Sequence, residues 1–222
     1  MTQKSVFDII GPVMIGPSSS HTAGAVRIGR YARAILDEKP VKAEITLYGS
    51  FAETFRGHGT DRALMAGILG LNTDDSKIKK ASDLALVQGL GVLINTGEVP
   101  GLHPNTALII LTGSSGKTVQ VQGKSVGGGN IIIDRINQYE VSVTGKNPTL
   151  LVEHLDKPGV IGRVTTLLGN SNINIAEMKM ARNRKGANNF MVIETDQTVS
   201  NEMLAEIAAR PDITSAIKIE PV

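Results

Sequence analysis

Apolar and polar positions along this 222-residue chain recur with two different periods, and the switches between them mark its elements. From Gly24 to Asp37, Val26, Ile28, Ala32, Ile35 and Leu36 share one face while Arg27, Arg30 and Arg33 share another, which predicts an amphipathic helix. Val41 to Tyr48 alternates instead, with Val41, Ala43, Ile45 and Leu47 against Lys42, Glu44, Thr46 and Tyr48, the signature of a strand with one buried face. A second helix is expected from Asp61 to Leu69 through Ala63, Leu64 and Ile68, with Thr60 as its N-cap. A weaker helix, Ser76 to Leu90, precedes a short strand at Gly91 to Asn95. Strands then dominate: Thr106 to Leu111, Lys117 to Gln122, Asn130 to Ile136 and Tyr139 to Thr144, with hairpin connections at Gly113-Ser114-Ser115-Gly116 and Asn137-Gln138. The short apolar segment Ser5 to Ile15 is expected to pack against this body and to feed the turn at Gly16-Pro17.

The turn-rich Thr144-Gly145-Lys146-Asn147-Pro148 separates two patterns, so the domains are drawn as 1–145 and 149–222. The second reads strand (Leu150 to His154), helix (through Val160, Ile161, Val164, Leu167 and Leu168), strand (Ile173 to Arg182) and strand (Asn189 to Thr195), with a charged turn at Asn183 to Gly186. A helix capped by Ser200 and a last strand, Ile213 to Glu220, complete it. That βαββαβ order is the ferredoxin-like unit, four antiparallel strands with both helices on one face. The expected fold class is α+β or α/β: a mixed α/β domain followed by a ferredoxin-like one.

Composition narrows the function. Hydrophobic residues make up 41% of the chain, enough for packed cores, and no apolar run approaches the roughly 20 residues of a membrane helix. The opening MTQKSVFDII lacks a signal-peptide layout, so the expected location is the cytoplasm, away from membranes. A net charge of +2 and 3% aromatics supply neither the field nor the stacking platform of a nucleic-acid binder. Cysteine is absent, which excludes disulfides, a cysteine nucleophile and any all-cysteine metal or iron–sulfur site built from this chain alone.

The stretch Gly16 to Gly24 carries the most chemistry. Ser18, Ser19, Ser20 and Thr22 surround His21 between a Gly-Pro turn and a helix N-terminus, where free N–H groups and the helix dipole favour an anion. Capping by Ser20 or Thr22 is the plainer reading, but a cap needs one hydroxyl and this loop holds four. A second loop, Phe55-Arg56-Gly57-His58-Gly59-Thr60-Asp61, places His58 between two glycines ahead of the next helix. Such glycines serve close approach to a ligand or a turn with positive φ, and an ordinary turn with His58 exposed is the alternative. His103, in a proline-bounded loop, reads as surface, and Gly127-Gly128-Gly129 reads equally as an anion nest or a flexible turn.

Two families are similar to these stretches. Leu155-Asp156-Lys157-Pro158-Gly159-Val160-Ile161-Gly162 and Asn172-Ile173-Asn174-Ile175 resemble the ACT domain, a small-molecule sensor that pairs with another copy and commonly binds amino acids. The resemblance implies homodimerisation through this domain and a regulatory ligand site at Asp156, Gly159, Val160 and Ile161, though some ACT domains only dimerise. Gly16-Pro17-Ser18-Ser19-Ser20-His21-Thr22, Arg56-Gly57-His58-Gly59-Thr60-Asp61 and Ser125-Val126-Gly127-Gly128-Gly129 resemble the β chain of iron–sulfur-dependent L-serine dehydratases. That family implies a cysteine-bearing α subunit holding a [4Fe–4S] cluster, and conversion of L-serine to pyruvate and ammonia. A related module serves as an allosteric substrate-binding domain in some phosphoglycerate dehydrogenases.

The resemblance assigns His21 and His58 as catalytic residues reaching across the subunit interface, one as general base and the other assisting the leaving hydroxyl or holding the carboxylate. Ser18, Ser19, Ser20, Thr22, Gly57, Gly59 and Thr60 are the expected substrate-binding set, with no metal ligand on this chain. A Lewis acid for the departing hydroxyl then falls to the partner. Two alternatives stay open: a non-catalytic, amino-acid-sensing regulatory subunit, and a sensor that works with no enzyme partner.

Overall fold

The computed structural model of the chain describes residues 13–182 and 186–222. The expected apolar segment 5–15 therefore lies outside the described residues except at its end, as does most of the charged turn at 183–186. Contacts divide the chain into two compact units, residues 1–137 and 138–222. Among the described residues no helix is long and apolar enough to cross a membrane.

In the first unit a single wide turn of π-helix, Ser19–Gly24, runs straight into α1 (Ala25–Leu36). Asp37, left-handed at φ 57°, ends α1 and turns the chain into β1 (Pro40–Tyr48). Then follow α2 (Ser50–His58), α3 (Thr60–Ile68), a 3₁₀ turn at Ser76–Lys80, α4 (Ala81–Gln88) and β2 (Gly91–Gly97). A meander, β3 (Thr106–Gly113), β4 (Thr118–Gly127) and β5 (Asn130–Ile136), completes it. These strands lie in the order β2-β1-β3-β4-β5, with β2 parallel to β1 and the remaining neighbours antiparallel. The parallel pair needs a long crossover, and α2, α3 and α4 supply it.

The alternation in β1 has the expected consequence: Ala43, Ile45 and Leu47 are fully buried. Across from the sheet, α1 buries Val26, Ile28, Tyr31, Ala32, Ile35 and Leu36. Each buried Ile or Leu contributes about 1.5–3 kcal/mol. Helices α1 and α3 cross at two glycines. A Cβ on Gly67 would stand 2.1 Å from the Val26 carbonyl oxygen, and one on Gly29 2.4 Å from that of Leu64. The arginine face of α1 is a packing face as well, since Arg27 Nη1 donates to the Gly129 carbonyl at 2.6 Å and Arg33 Nη1 to that of Ile68 at 3.0 Å.

Three sequence expectations change. The stretch 50–58 is helix α2, so His58 ends a helix and does not sit in a loop. Gly57 costs about 1 kcal/mol there relative to Ala, offset by Phe51, which is fully buried. Thr60 is the first residue of α3 and makes no capping bond, because Gly59, left-handed at φ 71°, forms the junction. The π-turn is capped by Ser18, whose Oγ accepts from the His21 N–H at 3.3 Å. Gly127, Gly128 and Gly129, all at positive φ, form the hairpin turn between β4 and β5.

The second unit opens with β6 (Tyr139–Val143), whose Tyr139 ring stacks on Phe190 at 5.1 Å. Next come β7 (Thr149–Leu155), α5 (Val160–Asn170), β8 (Ile175–Arg182), β9 (Asn188–Thr195), α6 (Asn201–Ala208) and β10 (Ile213–Ile219). The sheet order β10-β7-β9-β8, antiparallel throughout, is the ferredoxin-like arrangement expected from the pattern. Leu150, Val152, Met191 and Ile193 from the sheet meet Val160, Val164 and Leu168 of α5 and Ile207 of α6 in one core. Ser200 caps α6 as its position predicts, accepting from the Met203 N–H at 3.2 Å.

Candidate functional site

His21 is held by two hydroxyls from different elements. Its Nδ1 lies 3.3 Å from Ser18 Oγ, and its Nε2 lies 3.2 Å from Ser50 Oγ at the start of α2. Phe51 meets the ring edge-on at 5.2 Å between centroids. On another side the His58 ring lies 4.8 Å away, tilted by 34°. Residues far apart in the chain thus meet because α2 carries Ser50 and Phe51 at one end and His58 at the other. Burial lowers the pKa of His21, the nearby His58 charge lowers it further, and a hydrogen bond at Ser50 partly opposes both. The half-buried imidazole is therefore kept neutral, free to hold or relay a proton.

His58 is exposed and forms part of the wall of a cavity of about 210 Å³. Ile15, Gly16, Pro17 and Thr22 line this space together with Gly57, His58, Gly59 and Arg62, and with Ile78 and Lys79. Among the described residues no Asp or Glu lines it. Among the described residues, Thr22, 2% exposed, has no hydrogen-bond partner for its Oγ1, and the Thr60 hydroxyl close by in sequence to His58 is likewise buried and unpartnered. A buried unpaired hydroxyl costs about 1–3 kcal/mol, so Thr22, a residue of this wall, has bonding capacity that no described residue uses.

Of the expected substrate set, Thr22, Gly57 and Gly59 share the cavity wall with the expected catalytic residue His58. His21 and Ser18 stand beside them through the His21–His58 contact, Ser19 and Ser20 lie half-buried in the π-turn, and Thr60 is buried at the start of α3. Sequence reading missed Ser50, Phe51, Arg62 and Lys79. The signal for Ser50 and Phe51 was Gly49, whose backbone at φ 54° and ψ −130° turns β1 into α2. Lys79 was hidden in the run Lys77, Lys79, Lys80, which by itself resembles a solvated face.

In the second unit the four expected regulatory residues cluster at one end of β7. Asp156 Oδ2 accepts from the Gly186 N–H at 3.0 Å and pairs with Arg182. The Gly186 bond, and then Arg182, hold its carboxyl below the usual aspartate value. Gly159, left-handed at φ 84°, starts α5, Val160 is buried and Ile161 is exposed.

The [4Fe–4S] group implied by the resemblance finds no fit on this chain. The sequence offers no thiolate, and among the described residues no three His, Asp or Glu side chains converge.

Residues 5–89 match the family model for the serine dehydratase beta chain, and residues 148–212 match the ACT domain. A probable L-serine dehydratase beta chain of Bacillus subtilis is 43% identical over 219 residues, 99% of each chain. The L-serine dehydratase beta chain of Peptoniphilus asaccharolyticus is 38% identical over 221 residues, covering 99% of this chain and all of that one (100%). A D-3-phosphoglycerate dehydrogenase of Archaeoglobus fulgidus is 30% identical over 200 residues, which is 88% of this chain and 37% of the dehydrogenase. Near-complete coverage of both chains in the first two cases leaves one assignment: the chain belongs to the L-serine dehydratase beta-chain family and carries an ACT domain at residues 148–212.

Proposed function

We propose that this chain is the β subunit of an L-serine ammonia-lyase, converting L-serine to pyruvate and ammonia together with an α subunit that ligates the [4Fe–4S] cluster. The observation that carries the reading is the pair of imidazoles, with ring centroids 4.8 Å apart, beside a small cavity that has, among the described residues, an unpartnered hydroxyl and no carboxylate. Loss of water from serine needs removal of a weakly acidic α-proton, and a positioned base must reach it. His58 faces the cavity and acts on the substrate. His21, kept neutral and fixed by Ser18 and Ser50, accepts or returns the proton through its neighbour. Ser19, Ser20 and Thr22, with Gly57, Gly59 and Thr60, hold the serine. Residues 1–145 form the substrate-binding domain and 149–222 the sensor, where Asp156, Gly159, Val160 and Ile161 meet an amino-acid ligand and copies pair through the ACT sheet. The assembly works in the cytoplasm.

An anaerobic assay of the full chain, alone and mixed with the cysteine-bearing α subunit, tests this directly. Pyruvate from L-serine only in the mixture supports the split enzyme. No pyruvate, with the partner's cluster intact, sinks it.

One observation favours a second reading, a non-catalytic amino-acid-sensing subunit. The dehydrogenase relative shares most of this chain yet is named for a different reaction. In that case His21→Ala and His58→Ala abolish activation by amino acids and leave basal turnover of the complex intact.

A further inference from the structure

The cavity beside His58 has two cations in its wall that the catalytic proposal does not use. Arg62 stands on the first turn of α3, and Lys79 on the 3₁₀ turn that follows. Arg62 folds back over Gly59, where a Cβ would come within 3.6 Å of its Nη2. Its own backbone N–H is already served by Asp61 Oδ1 at 2.8 Å, so that carboxylate is committed to the helix start. Among the described residues neither Arg62 nor Lys79 has an ion-pair partner, although Lys42, Lys124, Lys157, Arg163, Lys179, Arg182 and Arg210 all do. Two unpaired cations converging on one cavity repel each other unless an anion joins them.

We propose that Arg62 and Lys79 form a carboxylate clamp in this cavity and so select small α-carboxylates. The proposal rests on the serine-dehydratase reading. Three observations carry it. The cavity has cationic walls and, among the described residues, no acid in its lining. Thr22, 98% buried by its 2% exposure, brings an unpartnered hydroxyl to the same wall. The space, about 210 Å³, falls below the roughly 300–1,000 Å³ of pockets for drug-sized ligands, so it suits a three-carbon amino acid and excludes a nucleotide. Arg62 presents a planar fork that matches a carboxylate bidentately, while Lys79 adds a point charge. Thr22 donates a third bond. The carboxylate held there leaves the α- and β-carbons near His58.

A clamp of this kind binds substrate and transition state alike, so its loss appears chiefly in KM. In the complex with the α subunit, Arg62→Met raises KM for L-serine at least tenfold and by more than it lowers kcat. Arg62→Lys restores part of the loss, and Lys79→Met has a smaller effect in the same direction. Unchanged KM in both Arg62→Met and Lys79→Met, with the variants folded by circular dichroism, overturns the clamp. If the wild-type complex forms no pyruvate, the dehydratase reading fails and the clamp is decided by calorimetric titration of the full chain. Preference for L-serine over L-serinamide that disappears in Arg62→Met then upholds it, and equal or absent binding of the two overturns it.

Discussion

The two stretches singled out for ligands are built alike and finished differently. Each ends at a glycine of positive φ that starts a helix, Gly59 before α3 and Gly159 before α5. At the second, the polar groups are occupied by the protein itself: Asp156 bonds Gly186 and Arg182, and Asp212 takes Lys157 at 2.7 Å and Arg163 at 3.4 Å. At the first, Thr22 and Thr60 keep unpaired hydroxyls, and Arg62 and Lys79 have no counter-charge among the described residues. Internal satisfaction favours a stable loop, whereas unspent donors favour a ligand. The contrast is what the proposed division of labour expects, with chemistry at the first stretch and sensing at the second.

The strongest way to break that contrast is to remove the imidazoles. His58→Ala is expected to lower kcat of the complex by about 10²–10⁴-fold, the usual worth of a positioned acid–base group. His21→Ala follows with a similar or smaller loss, because its role passes through His58. Steady-state pyruvate formation checks both, with co-purification of the α subunit showing that assembly survives. Wild-type rates in both variants would move catalysis off this chain.

Next in size is the scaffold beneath the site. Gly67→Val puts side-chain carbons where a Cβ already meets the Val26 carbonyl oxygen at 2.1 Å, and backbone cannot step aside cheaply. Overpacking of this sort costs about 1–3 kcal/mol or more, and urea unfolding of the full chain reads it as a lower midpoint at similar slope. The same swap at Gly162, with open space around its Cβ position, is expected to be neutral or to stabilise by about a few tenths of a kcal/mol, because Val is a better helix former than Gly.

Much of this arrangement is legible in the sequence itself. The alternation in β1 and the stripe on α1 report burial on one face, which a local pattern can carry. The ferredoxin-like unit is legible for the same reason. Helix α2 is not, because Gly49 and Gly57 read as loop punctuation and only Phe51 in it is buried. Its stability comes from tertiary packing and from a hydrogen bond of the Phe51 N–H to the Pro104 carbonyl at 3.1 Å, neither visible in spacing. The motif histidines were found by type, but their meeting, and the hold of Ser50 on His21, depend on that unseen helix. Arg62 escaped because a charge just inside a helix ordinarily means solvent.

A finer test sets two hydroxyls against each other. Ser200 in the second unit caps α6, so Ser200→Ala is expected to cost about 1 kcal/mol. Thr22→Val keeps the shape and removes an unpaired hydroxyl, so stability stays level or rises by up to about 1 kcal/mol. The cost appears instead as a several-fold higher KM for L-serine. Equal destabilisation by both changes would mean that Thr22 has a hidden structural partner and no ligand to serve.

The smallest expected effects are in the acid response, where the two stretches again separate. His21 has its folded pKa lowered, chiefly by burial and then by His58, so the unfolded chain takes up its proton first. Stability and the neutral form are intact above the unfolded value near 6.5, and the native state is penalised as the pH falls below it. Asp156 has its folded pKa lowered by the Gly186 N–H and then by Arg182, so its contribution is present above the unfolded value near 3.9 and disappears as the pH falls through the folded pKa. The first stretch therefore responds in weak acid and the second only in strong acid. Histidine ring signals followed by NMR should place the His21 midpoint below its ordinary value, and His58→Ala should bring that midpoint back up by removing the neighbouring charge. Asp156→Asn should flatten the fall of the unfolding midpoint at the acid end and leave the His21 titration where it was. Movement of the His21 midpoint in Asp156→Asn would instead couple the two stretches and erase the distinction between them.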